Sequence, residues 1–205
     1  MRKKPILPDV TNRSKWPIFF IVFALCCSLY VFSNRFHFGE PVLLPTLPID
    51  VAVPFLDWTV VIYLSHLFFM CAVVAVVHDG KILTPFIYSL TLGNILSALI
   101  FIFFPTQMTR VDHSFSATLK LLFDLLYFVD HPANCFPSLH IYWVTLGIYA
   151  VILQNYKYKF WMILWGVLIN ISTLTTKQHY FIDIFGALVL NWICWKVIQL
   201  LEPSG

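Results

Sequence analysis

The sequence predicts an all-α integral membrane protein: six transmembrane helices, with a short amphipathic surface helix between the third and fourth spans. Three observations predict it. Hydrophobic residues make up 60% of the 205-residue chain. Charged residues make up only 11%, against about 25% in a soluble domain. The apolar residues collect into runs near the ~20 residues a helical span needs, separated by short polar or proline-bearing stretches.

The first run, residues 16–33, opens at Trp16-Pro17, and proline is tolerated in a first helical turn. Arg2, Lys3, Lys4, Arg13 and Lys15 precede it, as in a secretory signal. No small-residue cleavage site follows, so the run reads as a retained span. Residues 34–57 carry Pro41, Pro45, Pro48 and Pro54. That density of proline excludes a regular helix and predicts a non-spanning segment. The second run is 58–77, closed by the polar turn His78-Asp79-Gly80-Lys81, and the third is 85–104, ending at Pro105.

Residues 106–135 form the longest polar insert. Within it Leu119, Leu122, Phe123, Leu126 and Val129 recur at helical spacing, with Lys120 and Asp124 off that stripe. A helix so short and so polar lies on a membrane rather than across it. The fourth run is 137–153, the fifth 160–175 and the sixth 180–201. No internal repeat breaks the chain, which reads as one domain over residues 1–205. Of the five cysteines, Cys26, Cys27, Cys71 and Cys194 lie inside apolar runs. They imply neither a disulfide framework nor metal-type pair spacing. No cofactor is expected, and the partners expected are membrane lipids, not nucleic acid.

An even number of spans puts both termini on one side. Arg2, Lys3, Lys4, Arg13, Lys15, Lys81, Lys157, Lys159 and Lys196 fall on that side; Arg35, Arg110, Lys120 and Lys177 fall on the other. The positive-inside rule then makes the termini cytoplasmic. The compact chain fits a bacterial inner membrane, with the opposite face periplasmic.

That opposite face carries the chemistry. Asn134-Cys135-Phe136-Pro137-Ser138-Leu139-His140 and Thr176-Lys177-Gln178-His179-Tyr180-Phe181-Ile182-Asp183 each place a histidine where a polar loop meets an apolar run. Asp183 follows His179 by four residues, so on a helix the two share a face. A carboxylate on one ring nitrogen leaves a lone pair on the other, the arrangement of an oriented nucleophile. His140 is placed to protonate a leaving alcohol. Arg110, Lys177 and the helix start at Ser138 supply donors for an anion. Asp112, Asp124 and Asp130 read as a solvated rim, His37, His78, His113 and His131 as loop residues, and His66 as a packed polar residue in the second span.

Phe136-Pro137-Ser138-Leu139-His140 and Lys177-Gln178-His179-Tyr180-Phe181-Ile182-Asp183 resemble the second and third signatures of the type 2 phosphatidic acid phosphatase superfamily. Pro137, Ser138 and His140 match Pro-Ser-Gly-His, with Leu139 in place of glycine. Ser172, His179 and Asp183 match the third signature, with Thr173 where that signature has arginine. Phe104-Pro105-Thr106 followed by Arg110 stands where the first signature falls, in a form similar to the inositol phosphorylceramide and sphingomyelin synthase branch. The resemblance implies that His179 attacks phosphorus, Asp183 holds its ring and His140 protonates the leaving group. It further implies that Arg110, Lys177 and Ser138 bind phosphoryl oxygens, without a metal. The expected activity is a metal-independent lipid phosphatase acting on a monoester or diphosphate through a phosphohistidine. The alternative is a lipid phosphotransferase that moves a phospho-headgroup to an alcohol such as ceramide or diacylglycerol. Two minor alternatives remain: a metal-ion transporter using the His-x-x-x-Asp pair, and a non-catalytic membrane scaffold. A serine protease fits less well, because Ser138 has no glycine-framed nucleophile turn.

Overall fold

A computed structural model describes residues 7–110 and 117–201 of the chain. Arg2, Lys3 and Lys4, and the loop residues Asp112 and His113, lie outside the described residues. The protein is mostly helical. Helix α1 spans Lys15–Ser33. A short helix α2, Pro48–Ala52, follows within the proline-rich segment. A 3-10 turn at Asp57–Thr59 leads into α3 (Val60–Leu64) and α4 (His66–Val76), which are separated by a break at Ser65. Then come α5 (Gly80–Phe103), α6 (Ala117–Val129), α7 (Leu139–Gln154), α8 (Lys159–Thr175) and α9 (Phe181–Leu201). Among the described residues, α1, Asp57–Val76, α5 and α9 are long and apolar enough to cross a membrane. Helices α7 and α8 are apolar but shorter, 16 and 17 residues.

Three features depart from the expected elements. Helix α5 begins five residues before Pro85, because Asp79 caps it: the carboxylate accepts from the Lys81 N–H at 2.9 Å. Pro85 is therefore inside a helix, not at its start. The proline-rich segment does hold a helix, started by Pro48, whose fixed φ suits a first turn and whose missing N–H is an orphan there anyway. A two-residue parallel ladder pairs β1 (Val42–Leu43) with β2 (Thr106–Gln107) and ties this segment to the chain after α5.

The long helices alternate in direction, so their ends collect in two groups. At one end the Gln154 side chain accepts from the N–H groups of His78 and Asp79 (3.0 and 3.1 Å). The Lys15 ammonium donates to the carbonyls of Ala75 and Val77, the orphan acceptors at the end of α4. At the other end Leu56 N–H donates to the Thr175 carbonyl, and Asn34 ties α1 to the backbone of His131 and Ala133. Between the ends, α5, α7 and α9 pack through a core that includes Tyr142, Leu90, Ile141 and Cys194. A Cβ on Gly93 would lie 2.1 Å from the Tyr142 ring, so the α5–α7 approach depends on that glycine.

Helix α6 packs beside α3. Leu122, Leu126 and the fully buried Phe123 of the expected apolar stripe turn toward the protein, while Val129 is exposed. A second apolar row, Leu121, Leu125 and Phe128, faces outward.

Candidate active site

The starts of α7 and α9 meet at the end of the bundle opposite the one held by Gln154. They bring His140 and His179 together: their ring centroids are 5.8 Å apart. His179 precedes α9 by two residues. Its backbone N–H and that of Gln178 both donate to the Thr173 carbonyl, which folds the loop back over the end of α8. Lys177 supports this reversal with a φ of +53°.

Asp183 is fully buried and does two things. Its Oδ2 accepts from the Tyr180 N–H at 2.9 Å, satisfying an orphan donor at the start of α9. The same oxygen lies 3.2 Å from His179 Nδ1. A carboxylate accepts, so Nδ1 carries the proton and Nε2 keeps its lone pair. The i, i+4 spacing read from the sequence thus becomes a direct contact.

His140 lies in the first turn of α7. Ser138 is the N-cap of that helix: its Oγ accepts from the Ile141 N–H at 3.3 Å, and its own N–H donates to the Asp183 carbonyl at 3.4 Å. Ser138 is completely buried. The structure therefore places it as the link between the starts of α7 and α9. Thr106, from the chain segment after α5, accepts from the Phe136 N–H at 3.0 Å and completes the joint.

Arg110 and Lys177 line one small polar cavity with His179, Gln178, Asp130 and Tyr30. The Arg110 guanidinium donates to the Asp130 carbonyl and lies over the Tyr127 ring, 3.9 Å from its centroid. The Lys177 ammonium donates to the carbonyls of Asp50 (2.6 Å) and Val53. Burial lowers its pKa, partly offset by the Asp50 charge. Two of its three protons are thus engaged by backbone.

Sequence reasoning missed the supporting roles of four residues. Asp50 is nearly buried and is a double cap: one carboxylate oxygen accepts from the N–H of Leu47 (2.8 Å), the N-cap of α2, the other from Phe181 N–H (2.7 Å) in α9. Asp130 is no solvated rim residue. Its carboxylate accepts from the Tyr30 hydroxyl. Burial raises its pKa above the usual carboxylate value, opposed by Tyr30, His179, Arg110 and His131. Tyr63 and His66 stand against His140, each with a ring centroid 4.6 Å from it. The only sequence signal for the last two was a tyrosine and a histidine three residues apart in an apolar run.

A separate cavity of about 150 Å³ opens beside His140. His140 and His66 form one wall, and Cys27, Val31, Leu67 and Trp143 are among the apolar remainder. Tyr30 lines both cavities.

The family model of the PAP2 superfamily matches residues 27–197, a stretch holding every residue of this site. No curated protein matches the chain.

Proposed function

Since the chain belongs to the PAP2 superfamily, a family of phosphatase-type phosphoesterases, we propose that it hydrolyses a lipid phosphate monoester or diphosphate through a phosphohistidine on His179. The observation that carries this reading is the pairing of two differently held histidines. His179 is oriented by Asp183, with a free Nε2, and His140 stands 5.8 Å away between centroids. Nε2 attacks phosphorus in line with the leaving oxygen. His140 protonates that oxygen as the P–O bond breaks, and the alcohol departs. Water then attacks the phosphohistidine, giving its proton to His140 and releasing phosphate.

The phosphoryl oxygens sit against Arg110, the remaining proton of Lys177, and the start of α7 capped by Ser138. No metal is required for this arrangement, because cations and backbone donors supply the stabilisation. The hydrocarbon carried by the leaving alcohol passes His140 into the apolar cavity. A polar cavity at His179 and an apolar one at His140, with Tyr30 lining both, fit a lipid substrate better than a soluble ester.

Six helices cross the membrane in this reading, α7 and α8 being extended by their flanking loops. Helix α6 lies at the surface with Leu121, Leu125 and Phe128 in the lipid. The site faces the periplasm, and both termini are in the cytoplasm of a bacterial cell. The same apolar cavity would seat an acceptor alcohol, which favours transfer to ceramide or diacylglycerol as the second reading.

The test is purified protein in detergent with chelator, offered phosphatidic acid, a polyprenyl diphosphate and a phosphosphingolipid, with and without acceptor alcohols. Phosphate release by wild type and none by His179→Ala is expected. A new phospholipid formed only with acceptor would establish transfer instead. Turnover undiminished in His179→Ala would refute both.

A further inference from the structure

The two histidines of the site have partners of opposite chemistry. His179 faces a carboxylate, which only accepts hydrogen bonds. His140 faces a phenol. The Tyr63 hydroxyl lies 2.8 Å from Nε2 and 3.2 Å from Nδ1 of His140. Among the described residues no carboxylate is hydrogen-bonded to His140.

This contact is built into the fold. Tyr63 is fully buried. It stands two residues before the break at Ser65, and Ser65 Oγ accepts from Trp165 Nε1 of α8 at 2.9 Å, which pins the break. His66, directly after the break, turns its Nδ1 to the Tyr63 carbonyl at 3.0 Å. A carbonyl accepts, so His66 Nδ1 carries the proton. The His66 ring then stands edge-on to His140, at 76°. The ring of His140 is thus held by Tyr63 and His66 together.

We propose that Tyr63 and His66 are positioning residues for His140 as general acid, with Tyr63 matching both of its protonation states. This rests on the phosphohistidine reading above. While His140 carries both ring protons, the Tyr63 oxygen accepts from one N–H and the other faces the leaving oxygen. That second proton passes to the leaving oxygen, whose P–O electron pair it captures, and the neutral ring keeps its hydrogen bond to Tyr63. A hydroxyl orients the ring without the negative charge by which a carboxylate would hold the proton back. His66 supplies a rigid face that keeps the ring from turning away.

The test compares two leaving groups. An alkyl phosphate such as phosphatidic acid needs its leaving oxygen protonated; 4-nitrophenyl phosphate releases a stable phenolate and does not. Tyr63→Phe keeps the ring and removes the hydroxyl. The expected result is a fall of about tenfold or more in kcat on phosphatidic acid, within the range of general-acid effects, with KM unchanged. The pre-steady-state burst of 4-nitrophenolate, which reports phosphohistidine formation before His140 acts as base, should stay within about twofold of wild type. His66→Asn keeps a donor for the Tyr63 carbonyl, removes the ring face, and should show the same selectivity with a smaller loss. An equal loss on both esters, or no loss on either, with His179→Ala inactive, would overturn this inference alone. Turnover surviving in His179→Ala would overturn the phosphohistidine reading and this one with it.

Discussion

Asp183 caps a helix and holds a histidine ring with the same oxygen, and substitution separates the two jobs. Asparagine keeps an oxygen for the Tyr180 N–H but removes the carboxylate charge that faces the Nδ1 proton of His179. Asp183→Asn is expected to melt close to wild type while kcat falls by about 10²-fold or more. Asp183→Ala should lose both activity and stability. Parallel melting curves and phosphate-release assays decide it. A second residue carries a pH signature. Burial raises the Asp130 carboxyl above its usual value, so the folded protein binds that proton more tightly than the unfolded chain. The contribution of Asp130 to stability is then fullest below the unfolded value, about pH 4, and is lost as pH rises through the folded value. In Asp130→Asn, whose amide oxygen still accepts from Tyr30, the melting temperature should fall less than in wild type between about pH 4 and about pH 7. An unchanged difference would remove Asp130 as the source. His140, His179 and Asp183 were legible in the sequence because type and local spacing reveal them. Tyr63 was not, because its partner lies 77 residues away and its own neighbours are apolar.

Elements hold these residues through caps that the sequence shows only in part. Asp50 joins α2 to the start of α9 across 131 residues of chain. Removing it strands the Leu47 and Phe181 N–H groups near the site. Asp50→Ala should cost about 1–3 kcal/mol and lower kcat, because α9 carries Asp183. Asp50→Asn, which retains an acceptor, should recover part of both. Chemical denaturation with a parallel assay reads the result; full activity in Asp50→Ala would dissociate the cap from the site. The α5–α7 contact has its own test. Gly93→Ala would press a Cβ into Tyr142, whose hydroxyl donates to the Ser89 carbonyl at 2.5 Å. A loss of about 1–3 kcal/mol is expected, typical of overpacking. Apolar runs located the helices well, because period and length survive any packing. Their boundaries were less legible. Pro85 suggests a helix start by its chemistry, yet the Asp79 cap and Lys81 N–H place the start earlier. The stripe of α6 was visible as a period, but which way it faces depends on Phe123 meeting Phe55 across the fold.

At the scale of the molecule, the site lies between a polar cavity that holds His179 and an apolar one that holds His140, with Tyr30 lining both. Neither cavity is visible in the sequence, since each is lined from several helices. The proposed substrate follows from their contiguity: a phosphate beside Arg110 and His179, and a hydrocarbon beside Leu67 and Trp143. Chain length is therefore the variable that tests the arrangement. Leu67 is partly exposed and takes no part in the chemistry, so Leu67→Trp can fill the apolar cavity without removing a reacting group. Excluding two methylenes from an apolar site costs about 1.6 kcal/mol, or roughly tenfold in KM. A long-chain lipid phosphate should show that rise in Leu67→Trp, with kcat little changed. A dibutyryl analogue, too short to reach the cavity, should keep its wild-type KM. If both substrates weaken together, the tryptophan has disturbed His140 itself. If neither weakens, the hydrocarbon leaves the site by another path and the apolar wall of His140 serves only to exclude water.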